Sequence, residues 1–227
     1  MEGDRSVREA IQASADIRSI YHLADWDTQD TDIQSIEGVQ VHVVSVKDLE
    51  RMSSQRSPNQ VIAVLRRPEP REQDFSLKGR WTLYLDRVRD PGNLGTILRI
   101  ADWYGLDSIC CSPDTVDEYN QKVIQASMGA LFRVAVIRME AEDLIQAAKR
   151  DDIPLAVTLM EGESIHSSRA GRSGILIVGN EGQGVRESLM ESADRQVTIP
   201  GSGRAESLNV AIAAGICMDW IYRSSGE

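Results

Sequence analysis

The chain has 227 residues, 41% of them hydrophobic, a length that supports one large or two modest domains, each with its own buried core. Its formal net charge of −10 argues against broad electrostatic binding to nucleic acid, so any RNA affinity has to come from local basic patches. No apolar run reaches bilayer-spanning length and the charged opening, with Glu2, Asp4 and Arg5, holds no signal-peptide core, so a cytoplasmic protein without membrane association is expected.

In chain order, Val7–Ser14 has the spacing of a helix, Ile17–His22 and Val39–Val44 read as strands, Val46–Met52 as a short helix and Val61–Leu65 as a strand, together a small α/β unit. The charged stretch Arg66–Gly79, with Pro68 and Pro70, reads as a linker. The boundaries drawn from it are 1–70 for a first domain, 71–79 for the linker and 80–227 for a second domain.

Beyond the linker the pattern alternates: strand Trp81–Leu85, helix Asn93–Tyr104, strand Ser108–Cys111, helix Tyr119–Ala130, strand Arg133–Ile137, helix Ala141–Arg150 and strand Leu155–Leu159. Strand Gly174–Val178, helix Val185–Ser192, strand Gln196–Ile199 and helix Asn209–Tyr222 complete it. Near-continuous apolar strands such as Ile175-Leu176-Ile177-Val178 predict a parallel sheet covered on both faces, whose ligands bind at the carboxyl ends of the strands.

Three loops leave such strand ends. In the first, Pro91-Gly92 makes a turn and Asn93 is placed as the cap of the next helix, with Arg99 six residues on. Asn93 reads equally as a cap and as a functional group, whereas the donor fork of Arg99 suits a phosphate or a ribose edge. The second, Gly179-Asn180-Glu181-Gly182-Gln183-Gly184, has neither the dinucleotide fingerprint nor a phosphate-loop Lys. It reads either as a tight turn or as a backbone cradle for an adenosine without phosphate, since Glu181 repels a pyrophosphate. The third, Ile199-Pro200-Gly201-Ser202-Gly203-Arg204-Ala205-Glu206-Ser207-Leu208-Asn209, presents main chain, with Ser207 and Asn209 where a helix offers unpaired N–H groups.

Cys110, Cys111 and Cys217 suggest buried thiols rather than a disulfide framework, and His22, His42 and His166 lack metal-ligand spacing, so no metal is expected.

Asp90-Pro91-Gly92-Asn93-Leu94-Gly95-Thr96-Ile97-Leu98-Arg99, Val178 through Gly184, and Ile199-Pro200 through Glu206-Ser207-Leu208-Asn209-Val210-Ala211, taken in this order, resemble the three signature motifs of the SpoU family of RNA ribose 2′-O-methyltransferases. The resemblance covers residues 81–222. It implies an α/β fold in which a trefoil-knotted, parallel-sheet SPOUT methyltransferase domain follows a small ribosomal-protein-like α/β substrate-binding domain. It also implies S-adenosyl-L-methionine as methyl donor, rRNA or tRNA as substrate, and a homodimer with its active site near the subunit interface.

Carried over by motif, the resemblance places Arg99 at the reacting ribose with Asn93 in support, and makes Glu181, Ser207 and Asn209 the other candidate catalytic residues. It assigns cofactor contacts to Gly179, Glu181, Gly184, Ile199, Ser207, Leu208 and Asn209. Family members normally carry a basic extension and a full strand before the position of Glu2-Gly3, so the first domain is expected to lack its first strand. Arg51, Arg56, Arg66, Arg67 and Arg71 remain for RNA contact, or form a solvated linker face. Two other readings stay open: a non-catalytic RNA-binding or assembly protein that retains the fold, and a nucleotide-binding enzyme.

Overall fold

Val- and Ile-rich strands joined by capped helices fold into two compact units, Met1–Pro70 and Arg71–Glu227. The computed structural model describes residues 1–27, 33, 36–55, 59–68 and 77–225. Most of the expected linker, and Arg56 and Arg71 among the expected RNA contacts, lie outside the described residues.

In the smaller unit, β1 (Ile17–His22) lies between β2 (Gln40–Val43), parallel to it, and β3 (Val61–Leu65), antiparallel. Helices α1 (Asp4–Gln12) and α2 (Val46–Met52) bury Val7, Ala10 and Leu49. The first residues extend this sheet: the Met1 amine donates to Ala63 O at 2.9 Å, Ala63 N–H donates to Met1 O at 2.9 Å, and Gly3 N–H donates to Val61 O at 3.0 Å. The buried Glu2 carboxylate is satisfied by Ser53 and by the hydroxyl and N–H of Ser54. Burial works to lower the pKa of the Met1 amine, and the neighbouring Glu2 charge only partly offsets it.

The larger unit is built on β4 (Trp81–Asp86), α3 (Pro91–Trp103), β5 (Ser108–Cys111), α4 (Gln121–Ser127), β6 (Ala135–Arg138) and α5 (Ala141–Asp151). It continues through β7 (Leu155–Ser164), β8 (Gly174–Gly179), α6 (Glu187–Glu191), β9 (Arg195–Thr198) and α7 (Val210–Ser225). Among the described residues the sheet has six strands, ordered β6-β5-β4-β8-β7-β9, with every pairing parallel. Alternation along each strand feeds two cores. Leu83, Leu85, Leu176 and Val178 meet α3 and α7 on one face, while Tyr84, Ile175 and Ile177 meet α5 and α6 on the other. All three cysteines are free and buried.

Several boundaries differ from the sequence reading, each for a local reason. The cap of α3 is Asp90, not Asn93: the Asp90 carboxylate accepts from Asn93 N–H at 2.9 Å and Pro91 occupies the first helical turn. The predicted helix from Tyr119 is capped by Asn120 and stops at Ser127, because Met128 (φ 47°) and Gly129 (φ 80°) turn left-handed into a 3₁₀ turn at Ala130–Phe132. Strand β7 runs five residues past Leu159, and its polar end pairs with β9 after a register shift between Thr158 and Glu163. Gly162 sits there because a Cβ would stand 2.6 Å from Gln196 O.

Gly95 fixes how α3 meets α4. An added Cβ would lie 2.5 Å from Ala126 Cβ and 2.8 Å from Val123 O, the latter being backbone that cannot swing away. Gly95→Ala is therefore expected to lower the unfolding free energy by about 1–3 kcal/mol in urea titrations. Gly182→Ala, whose Cβ would meet only Asn180 Oδ1 at 3.5 Å, should leave the midpoint nearly unchanged.

Candidate active site

The strand order reverses between β4 and β8: β4 leads outward through α3 to β5, and β8 leads through α6 to β9 on the opposite side. Helices α3 and α6 cover opposite faces, which makes the carboxyl edge between β4 and β8 the place where a sheet of this kind has its binding crevice. Asp86 and Gly179, paired across β4 and β8, form its floor.

The β8–α6 loop is a clamped turn. Asn180 and Gly184 exchange backbone hydrogen bonds of 3.1 and 2.9 Å, and Asn180 Oδ1 accepts from Gly182 N–H (2.8 Å) and Gln183 N–H (3.0 Å). Asn180 Nδ2 donates to Arg87 O at 2.9 Å, tying this loop to the end of β4. Gly179 has no room for a Cβ, which would stand 2.5 Å from the Gly184 carbonyl carbon, and Gly184 holds φ +67°. Glu181 is thereby carried out toward α3.

There the three loops meet on one side chain. Asn93 Nδ2 donates to Glu181 Oε1, and Asn93 Oδ1 accepts from Asn209 Nδ2 at 2.9 Å. Asn209 in turn caps α7, its Oδ1 accepting from Ala211 N–H at 3.0 Å and Ile212 N–H at 3.3 Å. Of the residues singled out in the sequence, Asn93, Glu181 and Asn209 are thus joined directly, with Gly179 and Gly184 shaping the turn between them.

The others stand apart from that contact. Ile199 packs on the core, while Pro200 through Asn209 are exposed, and residues 200–208 carry no backbone hydrogen bond among the described residues. Ser207 and the half-exposed Leu208 lie on this open stretch. Arg99 is exposed on α3 and, among the described residues, forms no ion pair.

Residues that sequence reasoning missed lie beneath the crevice. The Asp86 carboxylate, 0% exposed, accepts from Arg186 N–H at 2.8 Å and Arg186 Nε at 2.7 Å. Burial works to lower the pKa of Arg186, but the Asp86 carboxylate outweighs it and holds the guanidinium above its usual value. Asp114 joins at 3.3 Å, and Arg87, left-handed at φ 61°, reaches Gln183 Oε1 at 3.1 Å. The signal available was an acidic residue closing the otherwise apolar run Trp81–Leu85. Separately, a cavity of about 260 Å³ opens at the amino edge of the sheet beside Arg80, Tyr104 and Tyr222, where no predicted site residue lies. No group of three or more His, Cys, Asp or Glu able to hold a metal occurs among the described residues.

Comparison with known proteins adds a family. Residues 80–219 match the SpoU rRNA methylase family, and residues 1–63 match an MRM3-like substrate-binding domain. The chain is 33% identical over 217 residues to the 23S rRNA (guanosine(2553)-2′-O)-methyltransferase RlmP of Bacillus subtilis, covering 95% of this chain and 85% of that protein. It is 35% identical over 138 residues to the 23S rRNA (guanosine-2′-O-)-methyltransferase RlmB of Bordetella pertussis, covering 60% of this chain and 56% of that one. An AdoMet-bound rRNA methyltransferase from Sinorhizobium meliloti superposes with a TM-score of 0.85 at 29% identity, over 98% of this chain and 86% of the other.

Removing the buried carboxylate strands Arg186 against the sheet. Asp86→Ala is expected to cost on the order of 3 kcal/mol in urea unfolding. Asp114→Ala, taking away the half-exposed partner, should cost under about 1 kcal/mol.

Proposed function

Because the chain belongs to the SpoU methylase family, we propose that it transfers a methyl group from S-adenosyl-L-methionine to a ribose 2′-hydroxyl of structured RNA. The observation that carries this reading is the meeting of Asn93, Glu181 and Asn209, one from each of the segments that follow β4, β8 and β9. The names of the RlmP and RlmB relatives favour large-subunit ribosomal RNA as the substrate and, with it, a cytoplasmic location.

The residues present fit the donor. An adenosine needs backbone N–H and C=O groups with apolar contact, and the open stretch 200–208 offers unpaired main chain between Ile199 and the exposed Leu208. Gly179, Gly184, Ile199, Ser207 and Leu208 would hold it, with Glu181 and Asn209 at its edge. When bound, S-adenosylmethionine would supply an electrophilic methyl group that the 2′-hydroxyl attacks in line, displacing S-adenosylhomocysteine.

Asn93 has its donor and acceptor ends both engaged, so it acts as a positioning residue that orients Glu181 and the α7 cap rather than as a contact to ribose. Arg99 anchors the phosphate beside the reacting ribose and hydrogen-bonds its oxygen. A guanidinium keeps its proton and is a poor base, so proton removal falls to substrate phosphate or water.

A homodimer belongs to the same reading. Its support is the exposed Ile212 and Tyr222 on α7 and the 84% exposed Trp103 at the end of α3. The trefoil path is supported by the segment Ile165–Ser173, which runs beneath α7, where Trp220 Nε1 donates to Ser168 O at 2.9 Å and Ala170 N–H donates to Ser224 Oγ at 3.1 Å.

Incubating the purified protein with labelled S-adenosylmethionine and unmodified rRNA should give 2′-O-methylated product, and an RNA-bound but inactive protein would favour an assembly role instead. Arg99→Ala is expected to keep donor affinity in calorimetry while turnover falls by on the order of 10² or more, the scale of losing one positioned electrostatic group. Ile212→Asp should convert a dimer to a monomer in sedimentation equilibrium, and a wild-type monomer would overturn the dimer.

A further inference from the structure

Most arginines of the larger unit are neutralised within it. Arg80 pairs with Asp107, Arg133 with Asp102, Arg138 with Glu118, Arg150 with Asp151, Arg186 with Asp86, Arg195 with Glu163 and Arg223 with Asp219. Four exposed ones, Arg89, Arg99, Arg172 and Arg204, pair with no carboxylate among the described residues.

Their placement is uneven. Arg172 precedes β8, at the amino edge of the sheet. Arg89 lies in the β4–α3 loop, next to the cap Asp90, and Arg204 lies in the β9–α7 loop, both at the carboxyl edge. The hydrogen bond between Asn93 and Asn209 brings these two loops together: Arg89 is four residues before Asn93, and Arg204 is five before Asn209. The carboxylates nearby are largely committed. Asp90 caps α3, Glu181 accepts from Asn93, and Asp86 and Asp114 hold Arg186, leaving the exposed Glu206 as the opposing charge in the third loop.

We infer that Arg89 and Arg204 bind the phosphodiester backbone of the substrate RNA on either side of the nucleotide being modified, forming with Arg99 a rail of phosphate contacts along the crevice. This rests on the RNA methyltransferase reading and extends it to two side chains that the donor, held by main chain in the third loop, does not need. A chain of net charge −10 repels RNA at long range, so cations left unpaired at one edge of the sheet select where the polyanion can lie. Because phosphates carry no sequence information, the rail sets affinity and register and leaves the choice of nucleotide to other contacts.

The test is RNA binding across a salt series with an unmodified 23S rRNA transcript as probe, for the wild type, Arg89→Ala, Arg204→Ala and Arg172→Ala. Arg89→Ala and Arg204→Ala are each expected to weaken binding at low salt roughly tenfold and to flatten the slope of log K against log salt by about 0.7–0.9, with donor affinity unchanged. Arg172→Ala, which removes the same charge at the other edge, should behave as wild type. If wild-type protein methylates RNA while neither variant changes the slope, or if Arg172→Ala flattens it equally, the rail is wrong and the proposed function stands. If the wild type transfers no methyl group yet the slopes fall as described, the rail stands and the enzymatic reading fails. No RNA binding by the wild type ends both.

Discussion

A carboxamide has one donor end and one acceptor end, and at Asn93 each is spent on a different loop: Glu181 on one side, Asn209 on the other. Everything at the crevice depends on that side chain standing where it does. Asp90 fixes the first turn of α3, Pro91 presets its backbone, and Gly95 lets the helix sit hard against α4, so Asn93 is aimed from a rigid base. Hydrogen bonds among exposed side chains are individually weak, and they hold here because each partner is already fixed by its own loop.

Beneath that contact, a second kind of interaction joins the same strands. The buried Asp86 meets both the backbone N–H and the side chain of Arg186, so one carboxylate fastens the start of α6 to the end of β4. Buried ion pairs add little net stability, because desolvation consumes most of the attraction. What this one adds is a fixed link, through Arg186, between the residues that follow the turn Gly179–Gly184 and the end of β4. Together the two contacts give a floor that is stiff and a third wall, residues 200–208, that is left open to solvent.

Much of this was legible in the sequence. Near-continuous apolar runs at Trp81–Leu85 and Gly174–Val178, alternating with helical segments, pointed to a parallel sheet covered on both faces, and the tight-turn reading of the second loop agrees with Gly179, where a Cβ would meet Gly184. The role of Asn93 was not legible as a link, since its partners lie 88 and 116 residues away. Its reading as a cap failed on local chemistry: Asp and Asn cap equally well, and a proline directly after Asp90 was the better pointer. The end of β7, Met160-Glu161-Gly162-Glu163-Ser164, is too polar to announce a strand and becomes one through pairing with β9. Asp86 carried a signal, a charge ending an apolar run, but its meaning depends on Arg186, 100 residues later.

The pairing of β4 with β8 has a consequence for synthesis. Their register joins Trp81 to Gly174 and Asp86 to Gly179, and the connection between them contains β5, β6 and β7. The middle of the sheet therefore cannot close until β8, about ninety residues after β4, has left the ribosome, and helix α7, which roofs it, emerges later still. Until then the nascent β4 has Leu83 and Leu85 without their final cover, and loop-closure entropy opposes the pairing that would shield them. Assembly of the crevice is thus tied to the synthesis of α7 and the loop before it.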